Sequence, residues 1–212
     1  MYLFIRFVAS LPPPSSRQRT AEISESADPL VSRTIEPRLT QPTYRSTDFT
    51  YGNPQGKVRI FEFSDFACPY CQTLAAELKA AANRHPEVQI VWKDFPLTSL
   101  HPGVAGAHRA ARCAGQQGKF WEYHDLLFAS QGSFSAQQEI ALAQELKLDT
   151  GKFQECLDSL GVVATIQTNI DEGQALGIDG TPYLFIGDQR ISGLLSEEEL
   201  DQVIALHSQL TK

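Results

Sequence analysis

The sequence predicts an α/β fold, a central mixed sheet flanked by helices, with a helical subdomain inserted into it. Three observations carry that prediction. Residues 58–63, VRIFEF, form the run of β-branched and aromatic residues expected of a buried strand, and a helix-patterned stretch follows after the breaker SDFA. Residues 88–95, VQIVWKDF, form a second such run, and a strand–helix–strand succession pairs its strands in parallel through a right-handed crossover. Residues 97–177 then carry helical patterning, before two short strands return around Gly187-Asp188.

Taken in order, the chain opens with MYLFIRFV, apolar but short and interrupted by Arg6. It lacks the basic start and long apolar centre of a signal peptide, so it reads either as the stub of a longer export or anchoring segment or as a disordered end. Residues 11–44 hold six prolines among Ser, Arg, Thr and Glu, with no apolar period. Residues 1–45 are therefore expected to be a disordered tail or tether, and 46–212 the folded domain. An edge strand is expected at 47–51 and a turn at Gly52-Asn53-Pro54. The first helix puts Leu74 and Leu78 on the face that carries Cys71, and it ends at His85-Pro86, because a residue before proline avoids the helical region.

Inside the insertion, helices are expected at 102–117, 120–129, 135–146, 152–160 and 162–176. Trp121, Tyr123 and Phe128 are expected in its core, His124 and His207 on packed apolar stripes, and His85 and His108 at the surface. Strands at 183–186 and 190–193 make a hairpin, and Ser196 with Glu199 forms a capping box for a last helix with Leu200, Val203, Ile204 and His207 on its inner stripe.

The chemistry concentrates at Cys68-Pro69-Tyr70-Cys71. Pro69 fits the first helical turn, where its missing N–H costs nothing, so Cys68 stands at the helix tip and Cys71 one turn in. Unpaired backbone N–H groups and the positive end of the helix dipole favour the Cys68 thiolate, which is the attacking form in disulfide exchange. Cys71 can then close a disulfide with Cys68 and release a bound partner. A pair so placed reads as a redox site; half of a zinc site and a pair of inert core thiols are the alternatives. Glu62, on the preceding strand, is turned inward beneath the helix by the strand period, where a carboxylate is costly unless paired or protonated. The competing placement is at a solvated sheet edge.

With 212 residues, 42% of them apolar, the chain can bury one domain's core plus an inserted subdomain. A net charge of -7 argues against nucleic-acid binding, which needs clustered Lys and Arg. No stretch approaches the length of a membrane span, and no histidine spacing suggests a metal site; no cofactor is expected.

Four pieces, FEFSDFACPYC, the lysine Lys93 in VWKDFPL, CAGQQGKFWEYHDLLF and GIDGTPYLFIG, together resemble the DsbA-like branch of the thioredoxin-fold thiol–disulfide oxidoreductases, over residues 47–210. The resemblance implies a thioredoxin-like fold and protein-disulfide oxidoreductase activity through the CPYC pair. It implies that Glu62, assisted by Lys93 on the neighbouring strand, takes the proton of Cys71 as that thiol attacks a mixed disulfide. It implies a cis bond before Pro182, facing the redox pair, with the Thr181 backbone free to pair with an extended client; the residues alone would suggest an ordinary trans proline opening an edge strand. Pro69 and Tyr70 would border the client surface, and Phe66 and Tyr183 either join them there or serve as plain packing.

The same resemblance implies a structural disulfide between Cys113 and Cys156, against the alternative of two buried free thiols, and an oxidising compartment. It further implies unfolded or reduced exported proteins as clients, a location in the periplasm or cell envelope with tethering through an N-terminal segment, a monomer, and reoxidation by a quinone-linked membrane partner of the DsbB or vitamin-K-epoxide-reductase type. The expected direction is dithiol oxidation. A thioredoxin-like reductase and a non-catalytic client-binding module are the alternatives, while isomerases of this fold usually add an N-terminal dimerisation domain. A helix end supplies up to about 2 kcal/mol of thiolate stabilisation. A strong oxidant needs a drop from about 8.5 toward 3.5, so the remainder must come from local hydrogen bonds.

Overall fold

A computed structural model describes residues 40–131 and 134–210, and the tail expected over 1–45 lies outside the described residues as far as 39. Strand β1 (Thr50–Gly52) is followed by β2 (Val58–Ser64), helix α1 (Pro69–Arg84) and β3 (Val88–Asp94). Five helices come next: α2 (Val104–Gln116), α3 (Phe120–Ala129), α4 (Ala136–Glu145), α5 (Thr150–Leu157) and α6 (Leu160–Ala175). The hairpin β4 (Tyr183–Ile186) and β5 (Gln189–Ser192) and helix α7 (Glu197–Leu210) complete the described chain. The sheet order is β1-β3-β2-β4-β5, with β2 and β3 parallel across α1 and the other pairs antiparallel.

Strand β2 has two buried faces, which is why its sequence is a nearly unbroken apolar run. Val58 and Ile60 pack with Leu74 and Leu78 of α1 and with Leu200 and Ile204 of α7. Burying each such leucine contributes on the order of 2 kcal/mol. On the opposite face Phe63 packs with Phe95, Phe185 and Leu176. There α6 approaches so closely at Gly173 that a Cβ would collide with the Phe95 ring. The third cluster belongs to the insertion and reaches Phe66, Trp92, Cys68 and Cys71. Cys113 of α2 and Cys156 of α5 are joined by a disulfide, S–S 2.03 Å.

The last helix starts as its sequence requires: Glu199 N–H donates to Ser196 Oγ at 3.2 Å, and Ser196 N–H donates to Glu199 Oε2 at 2.8 Å. Three placements differ from expectation. The edge strand begins at Thr50 rather than 47, because Asp48 closes a turn by accepting from Arg45 N–H at 2.8 Å and donating its own N–H to Arg45 O at 3.0 Å. The packed chain also starts before 46, since Thr43 N–H donates to Glu172 Oε1 at 2.8 Å. His108 is fully buried rather than at the surface, because its imidazole pairs with the buried Asp94 at 2.7 Å. No helix among the described residues is long and apolar enough to cross a membrane.

Candidate active site

Cys68 is the N-cap of α1, with Pro69 opening the helix and no acidic side chain in the first turn to oppose a thiolate. The loop that delivers it is built on Asp65. One carboxylate oxygen of Asp65 accepts from Ala67 N–H at 2.7 Å; the other accepts from Leu97 N–H at 2.7 Å and meets His101 Nδ1 at 3.0 Å. The Asp65 carbonyl accepts from Cys68 N–H at 3.0 Å. This Asx-type turn converts the end of β2 into the start of α1.

Cys68 and Cys71 are both free thiols, Cys68 5% exposed and Cys71 fully buried. The Cys68 thiol is held down at about 6, from an ordinary 9.0. The largest cause is a hydrogen bond from the Cys71 side chain; burial opposes it, and the backbone N–H of Cys71, the Thr181 side chain and the backbone N–H of Tyr70 add to it. The helix-tip amides therefore contribute as the sequence implies, but the second sulfur contributes more. Cys71 is pushed far up, first by burial and then by donating to the Cys68 sulfur. At neutral pH the outer sulfur is an anion and the inner one a thiol.

Glu62 is 1% exposed and lies inward, on the strand face below α1. Burial pushes its carboxyl up to about 7, and the Ser64 side chain partly offsets that. Lys93 corrects the expectation. The parallel register sets Glu62 beside Trp92 and Phe63 beside Lys93, so the lysine points to the opposite face. There its ammonium donates to Asp48 Oδ2 at 2.7 Å and Thr43 O at 2.7 Å, with Glu172 Oε2 at 3.2 Å. It anchors the segment leading into β1 and does not assist the acid.

The Thr181–Pro182 peptide bond is cis, and Thr181 O lies 3.4 Å from Cys68 Sγ. Tyr70, 62% exposed, lies two residues after Cys68, whereas Phe66 is fully buried and stacked on Trp92 at 4.8 Å, which is the packing alternative. The disulfide between Cys113 and Cys156 leaves those sulfurs unable to complete a zinc site with Cys68 and Cys71.

Sequence reasoning missed two side chains that the insertion sends to the site, Gln131 and Arg112, and the buried Asp94 of β3. Gln131 Nε2 donates to Cys68 O at 2.8 Å and to Phe66 O at 3.0 Å. Asp94 is fully buried, accepting from Trp92 Nε1 at 2.9 Å and paired with Arg112 and His108; burial raises its pKa, but these partners more than offset that and hold it well below the carboxylate range. Asp65 had a local signal, an aspartate two residues before an unpaired N–H. Gln131 and Arg112 had none, because their partners are distant in sequence.

The chain matches the thioredoxin family over residues 45–205. A thioredoxin-like oxidoreductase from Silicibacter pomeroyi DSS-3 superposes with a TM-score of 0.72 at 30% identity, over 78% of this chain and 94% of that one. The thiol-disulfide exchange protein alpha-DsbA2 from Wolbachia pipientis shares the fold with a TM-score of 0.70 at 21% identity, over 76% of this chain and 87% of that one. A Na(+)/H(+) antiporter NhaA 1 from Salinispora arenicola is 30% identical over 96% of this chain. This chain spans 30% of that antiporter's length.

Proposed function

The chain belongs to the thioredoxin family, as a thioredoxin-like thiol–disulfide oxidoreductase, and from that premise we propose that it is a dithiol oxidase passing its Cys68–Cys71 disulfide to exported proteins. The observation that carries the reading is the asymmetric pair: a Cys68 thiolate at about 6 backed by a Cys71 held as thiol. A client thiolate attacks Cys68 Sγ, and Cys71 leaves and takes a proton. A second client thiolate then attacks the client sulfur of the mixed disulfide and expels Cys68. A stabilised Cys68 thiolate favours that expulsion and the reduced enzyme, which is what makes a disulfide oxidising.

Thr181 O beside Cys68 and the exposed Tyr70 provide a backbone acceptor and an apolar face for an extended client. Glu62 supplies or takes the Cys71 proton. The disulfide between Cys113 and Cys156 supports an extracytoplasmic location, in the periplasm or cell envelope. A quinone-linked membrane protein restores the Cys68–Cys71 disulfide, and the enzyme works as a monomer.

One observation favours a second reading. A value of about 6 for Cys68 is nearer the ~7 of thioredoxin than the ~3.5 of the strongest oxidants, which suits a reductase. Equilibration against glutathione separates the two: a potential near -270 mV, roughly that of thioredoxin, would make it a reductase. Oxidative refolding of a reduced client tests the whole reading, and refolding undiminished in Cys68→Ser would end it.

A further inference from the structure

Beneath Cys71 lie two buried polar groups with unused hydrogen-bonding capacity. Glu62 Oε1 and Ser64 Oγ are both shut away from solvent, and neither makes a hydrogen bond of ordinary length and angle, although Ser64 Oγ comes close enough to Glu62 and to Cys71 to lower the pKa of each. They stand two residues apart on β2 and so share one strand face. The face opposite them belongs to α1, where Cys71 is fully buried. Leaving a buried polar group unpaired is costly, so such groups call for an explanation.

Ser64 acts on both of its neighbours, lowering the pKa of Glu62 and that of Cys71 against the upward push of burial. The charged groups beside them in the sheet, Asp94 and Lys93, have partners of their own. Asp94, beside Ser64 in the parallel register, is held by Trp92, His108 and Arg112. From β4, apolar Leu184 lies beside Glu62. Cys68 is at the helix tip, and Lys93, with Asp48 and Glu172, is on the reverse face.

We propose that Ser64 is a catalytic residue whose hydroxyl carries the proton between Cys71 and Glu62. The proposal rests on the exchange reading above. In the resolving step the Cys71 proton moves to Ser64 Oγ while the Ser64 hydroxyl proton moves to the ionised Glu62 carboxylate. The electron pair left on Cys71 Sγ attacks Cys68 Sγ. The Cys68–Cys71 bond forms, the bond from Cys68 to the partner sulfur breaks, and the partner leaves as a thiolate. The partner's disulfide is the oxidant. When a client thiolate opens the Cys68–Cys71 bond, the path runs in reverse and the leaving Cys71 receives the Glu62 proton.

The test is the rate at which Cys71 resolves a mixed disulfide of Cys68 with glutathione, followed across pH in the wild type, Ser64→Ala and Ser64→Thr. The wild-type rate rises as Glu62 ionises, near pH 7. Ser64→Ala resolves about a hundredfold more slowly, at the low end of what proton transfer contributes, and loses the inflection; Ser64→Thr restores both. The Cys68 titration near 6 stays in place in all three. A Ser64→Ala protein with the wild-type rate and inflection overturns the proposal. In the unaltered protein, a curved proton inventory in mixed heavy and light water supports two protons in flight, and a linear one overturns the relay. Should the wild type form no mixed disulfide at Cys68, the exchange reading falls and the relay with it. Wild-type exchange with an unchanged Ser64→Ala profile removes the relay alone.

Discussion

Gln131 reaches from beyond the end of α3 to the carbonyl of Cys68, its amide donating to Cys68 O at 2.8 Å while also holding Phe66 O at 3.0 Å. The inserted helices thus grip the loop that presents the Cys68 sulfur. A side chain far away in sequence fixes the peptide next to which the thiolate's own amide donors are arranged.

Gln131→Ala is expected to raise the Cys68 pKa above about 6, because the N–H groups of Tyr70 and Cys71 lose their fixed aim. Loss of the two hydrogen bonds costs about 1–3 kcal/mol in a urea melt. Titration of the thiolate checks this, and a Cys68 value unmoved by the substitution would show that the clamp is only structural.

The reduction potential should change slope near pH 6. Cys68 has a depressed pKa, so the reduced form gains stability as pH rises from the folded value toward 9.0 and loses it as pH falls through about 6. Below the break two protons accompany two electrons, and the potential falls by about 60 mV per pH unit. Above it Cys71 alone carries a proton, and the slope is about 30 mV. A single slope running past pH 8 or so would mean that Cys68 titrates like a free thiol.

Glu62 destabilises the fold as it ionises. Its pKa is raised from 4.5 to about 7, so stability is lost as pH climbs through that window. The loss approaches about 3 kcal/mol above it. Glu62→Gln should therefore gain roughly 3 kcal/mol at about pH 8 relative to its effect at about pH 4, while slowing resolution of mixed disulfides. Equal effects at the two pH values would refute the burial of an ionisable group here.

Lys93→Met breaks a fully buried pair with Asp48 and should cost about 3–5 kcal/mol. Because Lys93 faces away from Glu62, the pH inflection of the resolving step stays where it was. An inflection shifted to higher pH would place the lysine back beside the acid.

Replacing Cys113 and Cys156 by Ala opens a link spanning 43 residues and should lower stability by about 4 kcal/mol in the chain-entropy model. Exchange through Cys68 persists at temperatures where the variant is folded. Loss of activity without loss of stability would give this pair a redox role.

The local features were legible in the residues. An apolar run, a breaker and a proline put Cys68 at a helix tip, and alternation along β2 turned Glu62 inward. Both follow from backbone periodicity, which the chain carries within a few residues. What the sequence could not decide is register and long-range pairing. Glu62 aligns with Trp92 and not with Lys93, and that one-residue offset sends the lysine to the other face of the sheet. His108 is buried because Asp94 awaits it on β3, and Gln131 matters because packing of the insertion brings α3 to the loop before α1. A side chain's partner across the fold is set by how whole elements pack, and no stretch of sequence around either residue contains that choice.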